Sequence, residues 1–210
     1  GEYVRLTKEN SHMSLSTVCD LSKESLEYCR NHFEVPLLTR DYKEVLKSPE
    51  VDAVDICTPS KTHYRICRDA LECGKHVLVE KPMTLDASEA YELVELAHKR
   101  NLVLSVGHIF RFNNALREVK RLIKEEFLGE IFYLRLQWTN LEHLEGRDII
   151  TDLAPHPFDI LNLLLDMWPR KITCKAKAYR RERLEETAYI VAEFENGVMA
   201  HIELSWLLPG

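Results

Sequence analysis

The chain has 210 residues, 45% of them hydrophobic, enough to bury one large core or two modest ones, which excludes a disordered chain. A formal net charge of -6, with acidic and basic residues mixed along the whole length, excludes the basic face of a phosphate-backbone binder, so no nucleic acid partner is expected. No run approaches the roughly 20 apolar residues of a spanning helix and no charged-then-apolar export signal opens the sequence, so no membrane partner is expected and a soluble protein is.

Taken in order, the first 110 residues alternate short apolar runs with helical patterns, the sequence form of βαβ units on a parallel sheet. Leu15 to Cys19 reads as a strand, and Ser22 to Phe33 as a helix that opens at an N-cap and sets Leu26, Cys29 and Phe33 on one face. Ala53 to Cys57 is a second strand, followed by a helix from about Lys61 to Cys73 closed by Gly74. His76 to Val79 is a third strand. Asp86 with Glu89 resembles a capping box for a helix carrying Ala90, Leu93, Val94 and Ala97, and Leu102 to Val106 is the last strand of this part.

The pattern then changes. A helix from Asn114 to Phe127 turns Leu116, Val119, Leu122 and Ile123 inward and stops at Gly129, and Ile131 to Trp138 reads as a long strand. The alternations Ile172, Cys174, Ala176, Ala178 and Ala188, Ile190, Ala192, Phe194 predict half-buried strands. Asn196-Gly197 suits a type I′ turn joining Thr187 to Glu195 with Val198 to Trp206. The expected fold is therefore α/β: a doubly wound parallel sheet over residues 1–110, then an α+β domain with a mostly antiparallel open sheet over 111–210.

Six cysteines (Cys19, Cys29, Cys57, Cys67, Cys73, Cys174) form no C-x-x-C pair and read as buried small apolar residues in a reducing compartment, which points to a cytoplasmic protein. No metal site is expected, because the nine histidines lack H-x-x-x-H spacing and do not cluster with the cysteines. No nucleophile elbow of the G-x-S-x-G kind is present either.

Several residues sit where chemistry is possible. Asp20 ends the first strand, where a dinucleotide fold places an acid for the adenosine ribose hydroxyls; an anion there disfavours a 2′-phosphate and so favours NAD over NADP. The same residue also suits an ordinary loop or cap. Thr58-Pro59 and Glu80-Lys81-Pro82 follow parallel strands at the carboxyl edge where ligands bind, although a strand-to-helix turn and a surface ion pair are the plain alternatives. Pro82 can take a cis peptide, and His63 suits a capping histidine as well as a ligand contact. In Thr151 to Asp159, Asp152 and His156 stand four residues apart, so one helical face could carry a carboxylate and a proton-accepting imidazole. Asp152 could equally cap the helix, and Pro155 and Pro157 predict a late start or a bend.

Together these residues carry a more specific signal. T-P-S-K-T-H-Y-R-I-C-R-D-A-L-E-C-G-K-H-V-L-V-E-K-P (58–82), G-H-I-F-R-F-N (107–113) and D-L-A-P-H-P-F-D (152–159) resemble, in order, the motifs of the Gfo/Idh/MocA family of oxidoreductases. The resemblance implies a two-domain subunit with NAD between a Rossmann domain and an open sheet, and homo-oligomers formed through that sheet. It implies that Lys81 and His156 serve the reacting hydroxyl, that Asp152 orients the substrate or the histidine, that Glu80, Thr58, Pro59 and His63 contact the cofactor, and that Arg111 lines the site. The implied substrates are sugars, inositols and nucleotide sugars; Arg147 could meet a phosphorylated one or be a solvated loop residue. The family opens with a strand and G-x-G-x-x-G, and Gly1 matches the last glycine, so this chain is expected to lack the first strand and phosphate loop and the C-terminal end. Asn114 and Pro157 depart from the usual residues. A non-catalytic nucleotide- or sugar-sensing regulator on the same fold, or an inert fragment, is the alternative.

Overall fold

The computed structural model describes residues 2–141 and 147–208, which divide into two compact units, Gly1–Ser105 and Val106–Gly210. In the first unit the elements are α1 (Glu2–Glu9), β1 (Thr17–Cys19), α2 (Lys23–His32), β2 (Leu37–Thr39), α3 (Tyr42–Lys47), β3 (Ala53–Ile56), α4 (His63–Glu72), β4 (His76–Val79), α5 (Ala87–Arg100) and β5 (Leu104–Val106). β1 pairs with β2 and β3 with β4, both in parallel, and the strand orders are β1-β2 and β3-β4-β5.

Local chemistry sets most of these bounds. The Ser22 hydroxyl accepts the Ser25 amide at 3.1 Å to start α2. Asp86 caps α5 through the Ser88 amide at 2.7 Å, two residues on rather than at Glu89. α4 ends at Gly74, whose φ of 76° is the left-handed conformation that lets the chain turn back to β4. Ile66, Cys67, Ala70 and Leu71, spaced three and four apart, form the buried face of α4, and α4 packs on β3, β4 and α5. The short β2 and α3 were not legible in the sequence. Neither was α1, which has no buried residue.

The second unit holds a 3₁₀ turn (Ile109–Phe112), α6 (Asn114–Lys124), β6 (Tyr133–Thr139), α7 (Ile149–Leu153), α8 (Pro155–Leu165), β7 (Lys171–Lys177), β8 (Thr187–Glu193) and β9 (Met199–Ser205). The sheet order is β6-β9-β8-β7, antiparallel except for the parallel β6–β9 pair. Ala188, Ile190, Ala192, Ala200, Ile202 and Leu204 make its buried face, packed with Ile149, Leu161, Phe194 and Trp206. The α7–α8 break falls at Ala154, immediately before Pro155, as the two prolines require.

Three expectations need correction. β7 is exposed along its whole length rather than half-buried, because it is the edge strand and α7 packs on β8 and β9. The β8–β9 connection is not a two-residue type I′ turn. Phe194 pairs with Val198 across a three-residue loop, the Gly197 amide bonds Phe194 O at 3.1 Å, and only Gly197, at φ 86°, has left-handed backbone. This is a type I turn closed by a glycine bulge, whose central residues need no positive φ, and the Asn196 side chain accepts the Val198 amide at 3.2 Å. Finally, of the six free cysteines only Cys29 and Cys67 are buried, while Cys57, Cys73 and Cys174 are exposed. No described helix is long and apolar enough to cross a membrane.

Candidate active-site residues

In the first unit the candidate residues stand at the carboxyl ends of β1, β3 and β4. Asp20 directly follows β1; it is exposed, and its Oδ1 accepts the Ser22 amide at 2.8 Å, which holds the carboxylate at the strand end. Thr58 and Pro59 follow β3 and are exposed. The Thr62 hydroxyl lies 2.8 Å from Thr58 Oγ1 and 2.7 Å from Pro59 O, so this turn is closed on itself. Just before it, burial first and then the charge of Asp55 push the Cys57 thiol up to about 12. Burial also raises the Asp55 carboxyl, against the hydrogen bond from Cys57.

Glu80 and Lys81 follow β4. The Glu80 amide bonds Ile56 O at 3.0 Å, the Lys81 amide donates to Glu80 Oε2 at 3.1 Å, and the Lys81–Pro82 peptide is cis. His63 is buried, 1% exposed, with Nδ1 2.8 Å from Pro82 O and Nε2 2.7 Å from Thr58 O. The ring braces the turn after β3 to the turn after β4.

In the second unit, Asp148 caps α7 by accepting the Thr151 amide at 2.8 Å, so Asp152 is not the cap. Asp152, largely buried, meets Arg147 Nη1 at 3.2 Å. His156 lies in the first turn of α8, half-buried, between two aromatic rings. Phe110 packs edge-on to it at 5.1 Å, and Trp138 lies nearly parallel to it at 6.1 Å. Arg111 points at α8: Nε donates to Asp159 Oδ1 at 2.7 Å and Nη2 to Asn162 Oδ1 at 2.8 Å. Sequence reasoning missed Phe110, Trp138, Asp159 and Asn162. The first and third stand inside the quoted motifs, but their spacing carries no chemistry until the elements are folded together.

The donor set on the first unit fits a dinucleotide. It offers a carboxylate at one strand end, a hydroxyl turn at the second and an acid-lysine pair at the third, all at the carboxyl edge where open α/β sheets bind ligands. That defines the class: a nucleotide-binding Rossmann-type unit joined to an α+β unit with an open sheet. The chain belongs to the Gfo/Idh/MocA oxidoreductase family, since residues 2–108 match the oxidoreductase family's NAD-binding Rossmann fold and residues 116–210 the GFO/IDH/MocA C-terminal domain.

Among relatives, the UDP-N-acetylglucosamine 3-dehydrogenase of Acidithiobacillus ferrooxidans is 34% identical, the match covering 74% of this chain and 49% of that one. The inositol 2-dehydrogenase of Corynebacterium glutamicum is 28% identical over 78% of this chain and 50% of its own. The solved scyllo-inositol dehydrogenase from Lactobacillus casei with bound NAD(H) and scyllo-inositol superposes with a TM-score of 0.86 at 20% identity, over 96% of this chain and 64% of that one. The chain thus spans about half of the length of these curated relatives.

Proposed function

We propose that this chain carries the cofactor- and substrate-handling residues of an NAD-dependent dehydrogenase acting on a CH–OH carbon of a sugar, polyol or nucleotide sugar. The observation that supports the reading best is His156: a half-buried imidazole on a helix start, steadied by Phe110 and Trp138, in a chain whose family relatives include dehydrogenases of inositol and of UDP-N-acetylglucosamine.

Bound NAD supplies the two-electron acceptor for the carbinol carbon. His156 takes the hydroxyl proton, a role that a neutral imidazole fills near pH 7. The Lys81 ammonium stabilises the negative charge that develops on the substrate oxygen. Asp152 orients the substrate or His156 and is itself steadied by Arg147. Arg147 also offers its second face to a phosphorylated substrate, and Arg111 acts at the same site. Asp20 accepts the ribose hydroxyls and, as an anion, disfavours a 2′-phosphate; Thr58, Pro59 and Glu80 contact the cofactor, with His63 behind them. The exposed outer face of the second unit's sheet, with Tyr133, Tyr189 and Met199, joins copies of the chain.

The test is NAD reduction at 340 nm with a panel of inositols, free sugars and UDP-sugars. Turnover that falls at least about 10²-fold in both Lys81→Ala and His156→Gln, with the far-UV spectrum unchanged, supports these roles. Near-normal turnover in either variant rejects that residue's assignment, and binding of NAD with no turnover of any panel member favours a sensing role instead.

A further inference from the structure

The G-H-I-F-R-F-N segment has no role above beyond Arg111, yet in the structure it is built around α8. We propose that the 3₁₀ turn Ile109–Phe112 is a positioning device for His156, with Asp159 as its anchor and Phe110 as the surface that fixes the imidazole. The inference rests on the proposed role of His156 and extends it to the residues that hold its helix.

The anchor is a buried charge. Asp159 is 4% exposed, and a carboxylate taken out of water is tolerable only with strong partners. Arg111 provides one through a charge-assisted bond at 2.7 Å, and its other arm reaches Asn162, three residues further along α8. His108 Nδ1 lies 3.9 Å from Asp159 Oδ2, outside hydrogen-bond distance, so the Arg111 bonds carry the anchor. Two bonds from a planar guanidinium to two residues of one helix fix register as well as distance.

Phe110 directly precedes Arg111 in the 3₁₀ turn and is half-buried. Its ring meets Trp138 at 5.2 Å and His156 at 5.1 Å, both edge-to-face, and His156 and Trp138 stand 15° from parallel. These separations are in the range where aromatic pairs attract. Asp159 follows His156 by three residues on α8, so clamping Asp159 also fixes the turn of helix from which the imidazole projects. The ring plane of a proton-accepting imidazole sets the direction of its lone pair, and an error of about 1 Å at a reacting atom costs on the order of 10²-fold in rate.

The experiment reads the ring first. In the isotopically labelled chain, the His156 imidazole resonance is identified as the one lost in His156→Gln. Ring currents from Phe110 and Trp138 displace it from the free-histidine position. Phe110→Leu and Asp159→Asn both return it toward that position while far-UV circular dichroism stays native; Arg111→Lys, which keeps the charge and loses the fork, gives an intermediate displacement. Ser22→Ala, in the other unit, leaves it in place. An unmoved His156 signal in Phe110→Leu and Asp159→Asn overturns the proposal. Should Asp159→Asn not fold, a wild-type signal in Arg111→Lys overturns it as well. Where the parent chain turns over a substrate, Asp159→Asn lowers kcat about 10- to 100-fold with the KM for NAD unchanged. A parent chain without turnover counts against the proposed dehydrogenase only, and the ring signal still decides this inference.

Discussion

Cys57 shows how a side chain can reach solvent and still be chemically quiet. It sits at the end of β3 beside Asp55, and desolvation followed by the neighbouring carboxylate holds its thiol up at about 12. The thiolate is the nucleophile, so at pH 7.5 alkylation of Cys57 by iodoacetamide should run at least about ten-fold slower than that of an ordinary thiol of pKa about 8.5. Peptide mass mapping of a partly alkylated sample checks this, and Asp55→Asn should speed the reaction. The same lesson runs through the candidate site. Lys81, His156, Asp152 and Asp20 were singled out in sequence because each stands near the end of a strand or helix. The brace made by His63 was not, since its two neighbours, Thr58 O and Pro82 O, are backbone atoms 5 and 19 residues away that sequence does not mark as partners.

Elements form here where a cap, a turn residue and an apolar stripe agree. α2 is the clear case: Ser22 caps it, Leu26 and Cys29 are buried, and Ser22→Ala should cost about 1 kcal/mol. In a chain of this size that is a fall of about 2–4 °C in Tm, readable by circular dichroism. The loop between β7 and β8 depends instead on a charge. Glu186 is 2% exposed and takes the amides of Tyr179 and Arg180 at 2.9 and 2.6 Å. Desolvation raises its carboxyl, but those backbone bonds and the Arg180 charge outweigh it and leave the carboxyl below its ordinary value. A carboxyl lowered in the folded state stabilises fully above its unfolded pKa of about 4.3 and loses that contribution as pH falls through the lowered folded value. Thermal melts of wild type and Glu186→Gln should therefore differ clearly at pH 7 and draw together as the pH falls below the ordinary carboxylate range. The hairpin shows where pattern reading stops. Asn-Gly fits two turn types, and the choice fell to the Phe194–Val198 pairing, which follows from the register of β8 on β9.

At the scale of the molecule, the outer sheet face leaves Tyr133, Tyr189 and Met199 exposed beside the Arg135–Glu203 pair. A face of this kind suits self-association, and sedimentation velocity should find the chain heavier than one copy. Tyr189→Lys, which puts a charge in the middle of that face, should shift it toward single chains without lowering Tm; an unaltered sedimentation profile would remove the face from consideration. The sequence by itself determined the class of each half, the Ser22 and Asp86 caps and most of the strand–helix alternation, because periodicity, capping and turn chemistry act over a few neighbouring residues. Tertiary structure alone decided that β7 is an uncovered edge, that β6 joins β9 in parallel, and that Asp159 holds Arg111 beneath an aromatic wall around His156. Those outcomes depend on pairings between residues tens of positions apart, whose energies exist only once the intervening chain has been folded back to bring them within a few ångströms.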